Sequence, residues 1–286
     1  MWPLTDYPFE SHYLHVSGYR LHYLDEGKTG NRTLLFLHGV PTWSYTFRHI
    51  IPDCVKAGYR VLALDLPGFG LSEKHISREI YTMEFLVNVV GEFIRQMEIS
   101  RAVLFAHDWG GVIGLQLISS FELPFSGLIL CNSLLPVEGM KIPFLFRLWR
   151  FFARYSPVLP VAMVVNLASH KRLSRLQKRG YNFPFKSGED KKAIRWMPRI
   201  LPFERGQTGF SEIEKAWEDL AGFENPVLTL FSDRDPITRG GEKIILQRIP
   251  GARNQNHRII QGGHFVQEDA PQKIANHIIN FMRSLP

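Results

Sequence analysis

The chain has 286 residues, 45% hydrophobic and 13% aromatic, enough for one large core carrying an insertion. Its two cysteines, Cys54 and Cys131, are too few and too far apart to suggest a disulfide framework or a metal site, which points to a reducing cytoplasm. The net charge of +7 is uneven: Pro136 to Lys215 holds 16 basic against 6 acidic residues, or +10, and the remainder is −3. These charges recur at helical spacing among apolar residues without interleaved aromatic runs, which reads as solvated helix faces and not as a nucleic-acid surface.

The start, Trp2-Pro3-Leu4-Thr5-Asp6-Tyr7, lacks the charged and greasy regions of an export signal. His12 to Val16 and Arg20 to Glu26 read as paired strands around Ser17-Gly18-Tyr19, followed by short apolar strands at Thr33 to Leu37 and Arg60 to Leu64. Asp65 to Gly70, with one proline and two glycines, is a loop. Apolar spacing predicts a helix over Met83 to Met97, and strands are expected at Ala102 to Phe105 and Gly127 to Leu130.

Between Pro136 and Lys215 the strand signal vanishes. Its most apolar stretch, Ile142 to Ala168, is broken by Arg147, Arg150, Arg154 and three prolines, so it is a poor membrane span. Strands return at Val227 to Phe231 and Arg258 to Ile260, with a closing helix from Pro271 to Met282. This order predicts an α/β fold, a mostly parallel sheet flanked by helices with its site at the carboxyl ends of the strands. The expected divisions are a first core part at 1–135, an inserted helical cap at 136–215 and a second core part at 216–286. The sequence contains no internal repeat or low-complexity segment.

The chemistry is carried by Ala106-His107-Asp108-Trp109-Gly110, between a strand and a helix. Such a sharp strand-to-helix turn needs small residues two before and two after its centre, and Ala106 and Gly110 supply them. Most chains of this pattern put a serine at the centre; here it is Asp108, a carboxylate already ionised at neutral pH. Attack on saturated carbon would give an ester and expel a leaving group, which suits alkyl halides or epoxides. The plainer alternative is an aspartate that only caps the following helix.

Ester hydrolysis needs a base, and His264, in Gln261-Gly262-Gly263-His264-Phe265 after the last strand, stands where the chain order of nucleophile, acid, histidine expects it. Asp235, following Val227 to Phe231, is the preferred orienting acid, and Asp233 is the competitor. A departing halide needs donors: Trp109 offers an indole N–H beside the nucleophile, and Trp149, on a helix starting near Pro143, is expected to face inward with Leu145 and Phe152, opposite Arg147, Arg150 and Arg154. Trp196 competes with Trp149 as the cap donor, and the plainer alternative for Trp109 and for Trp149 is a packing role. The backbone N–H groups of Val40, in His38-Gly39-Val40-Pro41, and of Trp109 are the expected oxyanion hole.

These pieces resemble a haloalkane dehalogenase of the α/β-hydrolase fold: HGVPTWSYTFR at 38–48, DLPGFGLSEK at 65–74, AHDWGG at 106–111, YNFPF at 181–185 and GGHFVQEDAP at 262–271. The resemblance implies Asp108 as nucleophile, His264 as base, Asp235 as acid and Trp109 with Trp149 as halide donors, with no cofactor. The implied partners are a small apolar halogenated substrate, water and the product halide. One branch of the family places a halide-binding asparagine after His-Gly and its acid after the sixth strand. Those places hold Val40 and Asn132 here, so the chain is similar to the branch with a cap tryptophan and an acid after strand seven. Epoxide hydrolases share the HDWGG run but protonate their substrate with cap tyrosines, for which Tyr155 and Tyr181 are the options. A non-catalytic receptor on the same fold is the rival from another class.

Overall fold

The computed structural model describes residues 4–27, 32–74, 77–99, 101–123 and 125–286. Residues 1–3 of the amino-terminal stretch weighed as an export signal lie outside them. Among the described residues eight strands form one sheet: β1 (His12–Val16), β2 (Tyr19–Glu26), β3 (Thr33–Leu37), β4 (Arg60–Leu64), β5 (Ala102–His107), β6 (Phe125–Cys131), β7 (Val227–Ser232) and β8 (Arg258–Ile260). Their order is β1-β2-β4-β3-β5-β6-β7-β8. The β1–β2 and β2–β4 pairs are antiparallel and the rest parallel.

The reason lies in the side chains. The central strands are near-continuous apolar runs, TLLFL, RVLAL and AVLFAH, which demand burial on both faces and so favour parallel pairing under helices. β1, HYLHV, alternates in burial and serves as an edge. Helices α1 (Ile51–Lys56), α2 (Met83–Gln96), α3 (Trp109–Ser120), α9 (Gly241–Arg248) and α11 (Pro271–Ser284) accompany the sheet. Thr82 caps α2 through its side chain, accepting from Phe85 N–H at 3.1 Å.

Between β6 and β7 the chain runs through α4 (Phe144–Tyr155), α5 (Val161–Ala168), α6 (Arg175–Asn182), α7 (Lys192–Ile200) and α8 (Phe210–Leu220). α4 packs on α7 and α5 on α6, whereas α8 packs on α3. Residue 215, the expected end of the inserted cap, therefore falls inside a helix that lies on the sheet layers. A short helix, α10 (Val266–Asp269), precedes α11. No helix among the described residues is long and apolar enough to cross a membrane.

Candidate active site

Asp108 sits between β5 and α3 with φ 49° and ψ −118°, a left-handed conformation costing a non-glycine residue roughly 1–3 kcal/mol. The turn is sharp because its neighbours have no room for side chains. A Cβ on Gly110 would stand 2.3 Å from the Leu37 carbonyl oxygen, and one on Gly39 would stand 2.5 Å from Asp108 Cβ. The Gly39 approach brings the next backbone N–H, that of Val40, to 2.9 Å from Asp108 Oδ1. Asp108 Oδ2 faces His264 Nε2 at 3.3 Å.

On its other side His264 Nδ1 is 2.9 Å from Asp235 Oδ2. The turn after β7 fixes Asp235: Oδ1 accepts from Ile237 N–H at 2.8 Å, and Oδ2 accepts from the Thr238 hydroxyl. Burial works to raise the Asp235 pKa, but the charge and hydrogen bond of His264, with those two donors, override it and hold the carboxyl well below the usual range. Burial likewise works to lower that of His264, and Asp235 and Asp108 override it, so the imidazole holds its proton well above the ordinary histidine value. Asp233, the competing acid, accepts from Gly262 N–H at 3.0 Å and only turns the loop.

A cavity of about 560 Å³ opens on Asp108 and His264, lined by Val40, Trp109, Phe146, Trp149 and Phe265 and by cap residues toward the surface. A smaller chamber of about 50 Å³ meets it at Asp108, Trp109, Phe146 and Ile237. Two other indoles are satisfied by carbonyls, Trp43 by Gly180 at 3.2 Å and Trp217 by Pro136 at 2.8 Å. The indoles of Trp109 and Trp149 line the cavity and donate to no protein acceptor among the described residues. Trp196 does not line it; the guanidinium groups of Arg78 and Arg199 lie over its ring at 5.2 and 4.4 Å.

Neither cap tyrosine reaches the cavity. Tyr155 is exposed, and Tyr181 is buried with its hydroxyl given to Glu268. On α4, Leu145, Trp149 and Phe152 all line the cavity as expected, and Arg147, Arg150 and Arg154 do not. Phe146 and Ala153 are the buried residues, Trp149 and Arg150 flank them half-buried, and Leu145 stands exposed at the cavity mouth.

A family model described as the alpha/beta hydrolase fold matches residues 32–271. A haloalkane dehalogenase of Mycolicibacterium paratuberculosis is 37% identical over 99% of this chain and 95% of its own, and one of Psychrobacter cryohalolentis matches at the same identity and coverage. This chain belongs to the haloalkane dehalogenase family. A solved tetrameric haloalkane dehalogenase from Paraglaciecola agarilytica superposes with a TM-score of 0.87 at 29% identity, covering 96% of this chain and 93% of that one.

Several positioning residues of this family member lacked any sign of their role in the sequence. Asn132, at the end of β6, donates to the carbonyls of Gly263 and His264 and accepts from Ser232 N–H, tying β6 and β7 to the histidine loop. His107 donates from Nε2 to the His264 carbonyl at 2.9 Å; burial, then the neighbouring His264 charge, pushes its pKa down to about 4, so it stays neutral. Asp269 accepts from the N–H groups of Gly263, His170 and Lys171, joining that loop to the end of α5. Glu268 meets Arg48 through two hydrogen bonds of 2.6 and 3.0 Å and also accepts from Tyr181 and Gln177 on α6. His107, Glu268 and Asp269 fall within motifs that carry the resemblance, and Asn132 stands where one branch of the family places its acid; those positions were their one signal.

Proposed function

We propose that this chain hydrolyses haloalkanes to an alcohol and halide through a covalent alkyl ester on Asp108, with His264 as base, Asp235 as its orienting acid and the helices within 136–209 as the cap. The observation that carries this reading is the unequal setting of the two Asp108 oxygens. Oδ1 is held by the Val40 N–H, and Oδ2 lies toward His264 at the cavity. In the first step Oδ2 attacks the carbon bearing the halogen, the new C–O bond forms, and the C–X bond breaks with its electron pair leaving on the halide. A halide is too weak a base to need a proton, and the unpaired indole N–H groups of Trp109 and Trp149 are the donors we assign to it.

Oδ1 then becomes the ester carbonyl oxygen and already sits on a donor. When water attacks Cγ, the charge develops on that oxygen, and the Val40 N–H, with that of Trp109 at the first turn of α3, stabilises it. His264 Nε2 takes the proton from water and returns it to the departing alkoxide. Esterification prepares this step. It neutralises Asp108, one of the two carboxylates that keep the imidazole protonated, so the base is freed once there is an ester to hydrolyse.

The absence of any tyrosine from the cavity lining, among the described residues, disfavours epoxide opening. Two buried, unpaired thiols suit a reducing cytoplasm as the working compartment. The experiment is to incubate His264→Phe with a bromoalkane. The reading expects release of one bromide per chain and a protein mass increased by the alkyl group on the Asp108 peptide; unmodified protein would contradict it.

A further inference from the structure

Residues 139–188 contain ten Lys or Arg and no Asp or Glu. α4, α5 and α6 all lie in this span. Among the described residues, eight of the eleven large apolar side chains that stand exposed fall between 144 and 167. On α4, Phe144, Leu148, Phe151 and Tyr155 follow at spacings of four, three and four, which puts them on one stripe opposite the buried Phe146 and Ala153. Phe144 is 74% exposed and Tyr155 56%. Arg147 and Arg154 flank the stripe, exposed and without a carboxylate partner among the described residues. A helix packed on a protein ordinarily turns such a stripe inward, and a contiguous exposed apolar patch marks a contact surface. The stripe also continues into the site. Leu145, Leu148, Met163 and Leu167 are exposed and line the same cavity that ends at Asp108.

We propose that this face of the cap rests on an anionic lipid surface, with the cavity mouth opening onto the acyl chains. Charge selects this occupant: two copies meeting face to face would bring two strongly basic, acid-free spans together, whereas an anionic headgroup layer complements them. Aromatic and aliphatic side chains beside arginines match the interfacial depth of a bilayer, and the 12 residues of α4 are too few to span one, so the helix lies in the plane. An apolar haloalkane dissolved in the acyl region would reach Asp108 through that mouth. This purpose rests on the dehalogenase reading, but the surface itself stands on exposure and charge.

The test is co-sedimentation of the full chain with phosphatidylcholine vesicles, with and without about one-third phosphatidylglycerol, at low and high salt, alongside sedimentation velocity of the free protein. The expected result is pelleting with the anionic vesicles, weakened about tenfold or more by high salt, by omission of phosphatidylglycerol, by Phe144→Ser with Phe151→Ser and by Arg147→Glu with Arg154→Glu. Both double variants should keep the parent's melting curve and its bromide release from a short, water-soluble bromoalkane. Equal partition into neutral and anionic vesicles would overturn the proposal, and so would self-association without vesicle binding. The parent protein's lipid and salt dependence decides the matter even if a variant fails to fold. Because vesicle binding is read without substrate, failure of bromide release would count against the reaction and not against the surface.

Discussion

Around the carboxyl ends of β5 and β7 and the turn after β8, the groups touching the reacting atoms are held by several partners each. Asp235 has three donors, Asp108 has a backbone N–H and an imidazole, and the histidine loop is tied by Asn132, His107 and Asp269. The cap lines the same cavity mainly with apolar side chains. It contributes one unpaired indole and a rim of exposed apolar side chains, and its polar ties to the core lie behind them, at Glu268 with Arg48 and Tyr181, at Trp43 with Gly180 and at Asp269 with His170 and Lys171. On the proposed mechanism the difference means that the core fixes which atom attacks and which proton moves, while the cap sets what can arrive and what helps the halide leave.

That division can be broken most sharply in the core. Asp235→Asn removes the charge that orients and stabilises the His264 imidazolium, and halide turnover should fall by about a thousandfold or more. Asp235 raises the His264 pKa, so its removal lowers that pKa, and the acid limb of the kcat profile should move to lower pH even as the plateau drops. Stopped-flow halide release between acid and neutral pH measures both effects. A loss in rate with an unmoved limb would detach Asp235 from the base.

A smaller effect is expected in the cap. Trp149→Phe keeps an aromatic side chain and deletes one unpaired donor, and kcat/KM should fall by about a hundredfold for chloride as leaving group. The same change at Trp196, packed among arginines, should alter it by less than about twofold. Equal losses at both positions, measured as chloride release, would mean that the indoles act through cap packing.

The fold was legible because its strands are short apolar or alternating runs bounded by turn residues, so β1, β3, β4 and β8 begin and end at the expected residues. The setting of Asp108 was legible from the small residues that a strained turn requires. Backbone donors carry no side-chain signature, so Val40 could be placed by position alone. The cavity face of α4 was legible, since Leu145, Trp149 and Phe152 all line the cavity, but its apolar residues outnumber those the core accepts, so Phe144, Leu148, Phe151 and Tyr155 stand exposed. The extent of the cap was obscured because α8 continues the run of helices with no strand to mark a boundary, yet packs on α3.

The most direct measurement is a single turnover in heavy-oxygen water with enzyme in excess over a bromoalkane, reading the isotope in both products by mass spectrometry. The ester route requires that the alcohol carry ordinary oxygen taken from Asp108 and that one heavy oxygen appear in the Asp108 carboxylate. Heavy oxygen in the alcohol, with an unlabelled Asp108, would mean that water attacks the substrate directly and would contradict the account.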